Sequence, residues 1–448
     1  MKALSALTAR NQVEVQAPDG SRSHRTADPL SLFNVLRLKR AVGDNGHVGL
    51  TATSVARAER AGDAHVGALD WRWRSPSGDY VTDGQVVGSL LGRGPERTEP
   101  DGTVIAPGDL GSAVRLVLAK QGGARWLWNV WAARDGRELQ VNDLGYNDRA
   151  NQFGAGGELT WRSLEPRWHT LESDLRLSTV ILDNLDRLPT QRTVLLGGRV
   201  LLASFWTVIA GVGGSRPRFD DREVGDGAAL ERPGGVGGFL KIDSDPRARV
   251  FAHLDSGVEA VTGGGRSVRG ELALQLRTLP QLDLELIPQA VFTRGEYRFA
   301  TTAPSGEYLF GKLAAHSLGL TLRATYTFTP RLTLQAYAQL FLSARHYQDF
   351  ASFQPGFAGP RPAIHLHDLV TGVPAPATNP DTQDAALNAN VVLRWELRPG
   401  SLLYLVYTRA QAPQLTLLPG ESGRLDLHSL RRAPASDVLL LKLAWWFG

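Results

Sequence analysis

Two carboxylates, Asp283 and Glu285, stand two residues apart, the spacing that puts both on one side of a strand, where they can form an acid/base couple or hold a cation. His365-x-His367 offers two imidazoles at the same spacing, with His346 nearby in sequence. Zinc takes three or four protein ligands, so this pair falls short and reads as part of a solvated loop. Asn379-Pro380-Asp381-Thr382-Gln383-Asp384 is rich in oxygen donors but lacks the glycine and closing glutamate of a calcium loop. Three glycine-rich stretches, 211–214, 234–238 and 263–265, lack the Gly-Lys-Ser/Thr ending of a phosphate loop and read as turns or bends. His316-Ser317 and His428-Ser429 are adjacent pairs, and neighbours on a strand point to opposite faces, so neither makes a base and nucleophile. No catalytic residue, metal site or cofactor is expected from these residues. A hydrolase assembled from distant residues, with Asp283 or Glu285 in it, is the weakest of the readings.

Composition narrows the class. The 448 residues carry 49 Lys+Arg against 45 Asp+Glu, a net charge of +4, far from the concentrated basic excess of a nucleic-acid binder. Hydrophobic residues make up 42 % and charged ones 21 %, so the chain folds. With no cysteine, disulfide staples, thiolate metal sites and cysteine nucleophiles are excluded. The most apolar stretch, 194–214, is broken by Arg199 and rich in glycine and β-branched residues; it suits strands better than a membrane-spanning helix, which needs ~20 apolar residues.

The elements that must position these side chains have a period of two. Leu318, Leu320, Leu322, Ala324, Tyr326 and Phe328 alternate with Ser317, Gly319, Thr321, Arg323, Thr325 and Thr327, and the pattern resumes after Thr329-Pro330. Val268–Leu276 and Leu282–Phe292 alternate in the same way. The whole chain yields about twenty such segments, the first expected near 4–15 and the last near 436–447. Many run to 9–15 residues, near the ~9–11 with which a tilted strand crosses hydrocarbon. Short turns such as Gly43-Asp44-Asn45-Gly46 and Pro399-Gly400 alternate with long polar loops near 92–111, 135–150, 215–234, 295–313, 347–385 and 412–435. This asymmetry predicts a single domain over 1–448, an all-β, up-and-down antiparallel transmembrane β-barrel of the outer-membrane type. A sheet of that size must close to remove its edges in lipid, and its interior is too wide for side chains to fill.

The pattern assigns faces. Arg269, Glu271, Asp283, Glu285, Arg323, Gln335 and Gln339 are expected to line the lumen. Trp71, Trp73, Trp126, Trp128, Tyr326, Phe328, Trp445 and Phe447 are expected in a membrane girdle, where amphipathic rings settle. Trp131, out of phase with Trp126 and Trp128, points the other way.

Several stretches resemble the C-terminal barrel region of a bacterial outer-membrane family known as domain of unknown function 5916. They are Asn34–Arg40, Gly46–Ala52, Val141–Gly145, Thr321–Pro330 with Leu334–Ala338, Asn390–Gly400 and the ending Val438–Phe447. The resemblance implies a Gram-negative outer-membrane location, lipid and the barrel-insertion machinery as partners, and no known catalytic residue. Full-length members carry a signal peptide and a carbohydrate-binding-like domain ahead of the barrel; neither is visible here, and Gly448 follows Phe447, so a longer precursor and a barrel incomplete at the N-terminus are expected. The expected role is a porin-like channel or surface protein for small hydrophilic solutes or saccharides, with no nucleic-acid partner. The alternative is a membrane anchor for a surface carbohydrate-binding or glycan-processing domain. The longest loop, 347–385, is the first suspect for a plug.

Overall fold

The computed structural model describes residues 1–17, 20–58, 62–356, 361–413 and 415–446. Alternation becomes strand throughout. The main sheet has 21 strands, one of them the two-residue strand Val370–Thr371 beside the end of Leu332–Phe353. The other twenty run in chain order: Lys2–Thr8, Ser31–Val42, Gly46–Arg57, Ala64–Arg74, Tyr80–Leu91, Leu110–Lys120, Trp126–Asp135, Gln152–Ser163, Thr170–Asp183, Pro189–Leu202, Thr207–Ser215, Gly235–Asp243, Val250–Val261, Arg266–Leu279, Leu282–Thr302, Tyr308–Thr329, Leu332–Phe353, Thr382–Arg398, Ser401–Gln411 and Ala435–Ala444. Each pairs antiparallel with the next, as tight hairpins require. Among the described residues no helix is long and apolar enough to cross a membrane, and 194–214 forms two strands.

Tight turns occupy one end of the sheet. Gly78, at φ +77°, and Gly400, at φ +82°, take the left-handed conformation that such turns need. The first and last strands both have their terminal ends there. The opposite end carries the connections 92–109, 136–151, 216–234, 354–381 and 412–434. Three expectations are corrected at this end. The predicted strand 4–15 stops at Thr8, and Asn11–Gln16 pairs instead with Arg22–Asp28 in a separate hairpin. The predicted loop 295–313 is mostly strand, with only 303–307 connecting, and the predicted loop 347–385 shrinks to 354–381. The cause of the last two is a set of bulges, between Arg294 and Glu296 and between Phe310 and Lys312, which shift the period-two phase and hide the strands from it.

Among the described residues the main sheet has no second sheet or helix layer against its apolar face. Leucines of the apolar face remain accessible, with Leu318 at 39 %, Leu320 at 40 % and Leu322 at 37 % of full exposure. The largest hydrophobic cluster of buried residues lies instead at the loop end, where Leu230, Phe310 and Ile364 are fully buried. The sheet is strongly curled. Loops 92–109 and 354–381 are twelve strand spacings apart in the sheet order, which would be on the order of 55 Å in a flat sheet, yet Arg361 Nη2 donates to Thr103 Oγ1 at 3.0 Å. Closure is not reached: among the described residues Lys2–Thr8 and Ala435–Ala444 each pair on one side only, with Ser31–Val42 and with Ser401–Gln411.

Candidate functional site

Antiparallel partners share a face, so the register assigns every side chain to one of two sides. Glu271 faces Gln289, Glu285 faces Arg323, and Arg323 faces Tyr337. With Arg269, Asp283, Gln335 and Gln339 in phase, all seven polar candidates lie on one face. Asp283 and Glu285, two residues apart on this face, each have a partner of their own. Gln275 Nε2 donates to Asp283 at 3.2 Å, and Arg323 Nη1 donates to Glu285 Oε2 at 2.9 Å. The same face carries Arg37 paired with Asp70, Arg72 with Asp83 and Lys241 with Asp255, an alternating-sign band around the curled sheet.

Trp71, Trp73, Trp126, Trp128, Tyr326 and Phe328 lie on the other face, with the apolar residues. Trp71 covers Gly84, whose absent side chain leaves room for the ring; a Cβ there would sit 1.9 Å from it. Trp131 is on the polar face, opposite Gly156 and with Arg115 5.6 Å above its ring. All 11 tryptophans lie in or near the tight-turn end, Trp131 being the farthest in. Trp445 follows the last strand under Arg398, 4.3 Å from its ring centre, and Phe447 lies outside the described residues.

The loops form an ordered cap at the other end. Arg218–Asp220, Ala229–Arg232 and Ala363–Ile364 make a small sheet of their own. Buried carboxylates tie the loops together. Asp101 accepts from the Thr103 N–H at 3.0 Å and from Asn151 Nδ2 at 2.6 Å, with Arg361 3.9 Å away. Burial pushes the Asp101 carboxyl up, but these donors and the Arg361 charge together outweigh it and hold it below the ordinary carboxylate value. Asp143 sits between Arg97 at 2.7 Å and Arg57 at 2.6 Å; burial again opposes, and the two arginines win. Asp221 bridges Arg149 at 2.7 Å and Asn184 at 2.8 Å.

Beneath this cap, between loop 216–234 and the polar face, lies a chamber of about 600 Å³. Its walls hold five arginines, Arg149, Arg218, Arg222, Arg298 and Arg345, against the carboxylates Asp220 and Glu223. Two arginines are neutralised, Arg149 by Asp221 and Arg298 by Glu223 at 2.8 Å. Arg222 donates to the Asp148 carbonyl, and Arg345 Nε donates to Thr382 Oγ1. Among the described residues neither these two nor Arg218 has a carboxylate partner. Two further polar atoms of the lining, Arg149 Nε and Thr190 Oγ1, are buried without a hydrogen bond. Planar guanidinium groups facing one cavity favour carboxylates, sulfates or phosphates.

No period or motif pointed to this chamber, since its arginines come from four separate stretches of chain. His346 does not join the histidine pair; its Nδ1 contacts Asp381 Oδ2 at 2.6 Å. The sequence matches a family model described as Domain of unknown function (DUF5916) over residues 2–447. No curated protein matches it.

Proposed function

The chain belongs to this family of domain of unknown function 5916, and from that premise we propose that it is an outer-membrane β-barrel whose apolar face meets lipid and whose polar face lines a water-filled lumen. Its loop-end chamber selects small hydrophilic anions, acidic saccharides included. The observation that carries this reading is the segregation of the two faces along the strands: leucines stay exposed along one side while ion pairs such as Lys241–Asp255 and Glu285–Arg323 lie on the other, the apolar side carrying ion pairs, Arg192–Asp183 and Arg409–Asp437, near the loop end. The tight turns with their tryptophans suit a periplasmic rim, and the capped loops an outer surface. The two edge strands run antiparallel, so their pairing would close the ring that hydrocarbon demands.

Planar-bilayer recording tests the channel. Purified protein should give stepwise conductance, and a salt gradient should show preference for chloride over potassium. Arg218→Glu should reduce that preference severalfold. Absence of conductance from inserted protein removes the channel reading. It would favour the second one, an anchor with a closed mouth, for which the meeting of Arg361 and Thr103 across the loop end speaks.

A further inference from the structure

We propose that Glu231, His365 and His367 bind a divalent transition-metal cation of the Zn²⁺ class, which staples loop 354–381 to loop 216–234. One donor atom from each of the three lies within 4.8 Å of the other two. The fold places them by register: Ala229 pairs with Ala363 and Leu230 with Ile364 in parallel, so the next residues along, Glu231 and His365, fall side by side. Glu231 Oε2 and His365 Nδ1 are 3.3 Å apart. Metal bonds of ~2.0–2.2 Å in tetrahedral geometry separate two ligand atoms by about 3.3–3.5 Å, so this edge is already set.

The support around the donors is rigid on one side and open on the other. Leu230 and Ile364 are fully buried beneath them, and Phe219 meets His365 edge-on at 5.2 Å. The Leu366 N–H donates to Glu231 Oε2 at 3.0 Å, which orients the carboxylate. The 3₁₀ turn Leu366–Asp368 carries His367 round until its ring stacks on His365, centroids 5.1 Å apart. Asp368 Oδ1, 3.4 Å from His367 Nε2, is placed to hold that ring as an outer partner. The His367 side chain is 79 % exposed, so the fourth position faces water. Two imidazoles and one carboxylate suit Zn²⁺, Ni²⁺ or Cu²⁺ and disfavour Mg²⁺ and Ca²⁺, which prefer oxygen alone.

The test is Zn²⁺ titration of the detergent-purified full chain, stripped of metal and read by competition with a chromogenic chelator. One Zn²⁺ should bind per chain, unaffected by millimolar Mg²⁺. His367→Ala and Glu231→Gln should each weaken binding at least ~10-fold, whereas His428→Ala, outside the cluster, should leave it unchanged. His367 is exposed, so its removal does not threaten folding, and hydrogen exchange supplies a second readout. Zn²⁺ should slow exchange over 361–372 in the wild type and not in His367→Ala. No stoichiometric binding, or binding that survives both cluster substitutions, overturns the proposal.

Discussion

Asp101 shows how one side chain can govern the loop end. Its two oxygens satisfy the Thr103 N–H and the Asn151 amide, and its charge faces Arg361. Asp101→Ala leaves those donors unpaired in a buried place, and should cost about 1–3 kcal/mol of local stability. The pH dependence follows from the direction of the shift. A carboxyl held below its ordinary 3.8 stabilises the folded cap at all pH above that value, and the contribution is lost as pH falls through the depressed folded value. Asp143 is shifted the same way and acts in the same window. Amide exchange over 92–109 and 136–151, corrected for intrinsic rates, should therefore hold steady above pH 3.8 and quicken as the pH is lowered below that value, through the depressed folded range. Unchanged protection at the acid end of that range would contradict this. None of these contacts was legible beforehand, because Asp101, Asn151 and Arg361 belong to three loops that only the curl of the sheet brings together.

Individual strands, by contrast, were legible because each needs only its own alternation. Leu318, Leu320 and Leu322 announced their face without knowledge of any partner, and the register with Leu282–Thr302 and Leu332–Phe353 agrees with it. Legibility failed where a bulge slipped the phase, as at Gly295, which at φ +95° packs against Gly264 and Gly265. It failed again where a third ligand stood far away in sequence, as Glu231 does, 135 residues from the Leu366 amide it accepts. The face assignment makes a paired prediction. Leu320→Arg should destabilise the protein in vesicles by about 2–4 kcal/mol if Leu320 lies near the bilayer midplane. Gln335→Arg, exposed on the opposite, polar face, should cost far less, both measured by guanidinium unfolding. Equal costs would mean that the two faces meet the same medium.

At the level of the whole molecule, the open seam between Lys2–Thr8 and Ala435–Ala444 is the feature that lipid would not tolerate. Each unpaired edge group in hydrocarbon costs several kcal/mol, so the inserted protein should close there. The absence of native cysteine makes this easy to follow. Leu4→Cys with Leu440→Cys, both on the polar face of the edge strands, or with neighbouring Lys442→Cys, should form an intramolecular disulfide in vesicles within the ~4.4–6.8 Å Cα reach of that bond. No cross-link at either position in inserted protein would argue against closure by these two strands. The most direct test of the membrane assignment itself uses the same clean background. Single cysteines placed in turn at positions 317–324 of liposome-inserted protein are treated with a water-soluble maleimide. Labelling should follow the faces, with the Ser317, Gly319 and Arg323 positions reactive, the buried Thr321 position slow, and the Leu318, Leu320, Leu322 and Ala324 positions protected. Uniform labelling of all eight would show that water bathes both faces, and the barrel reading would fall.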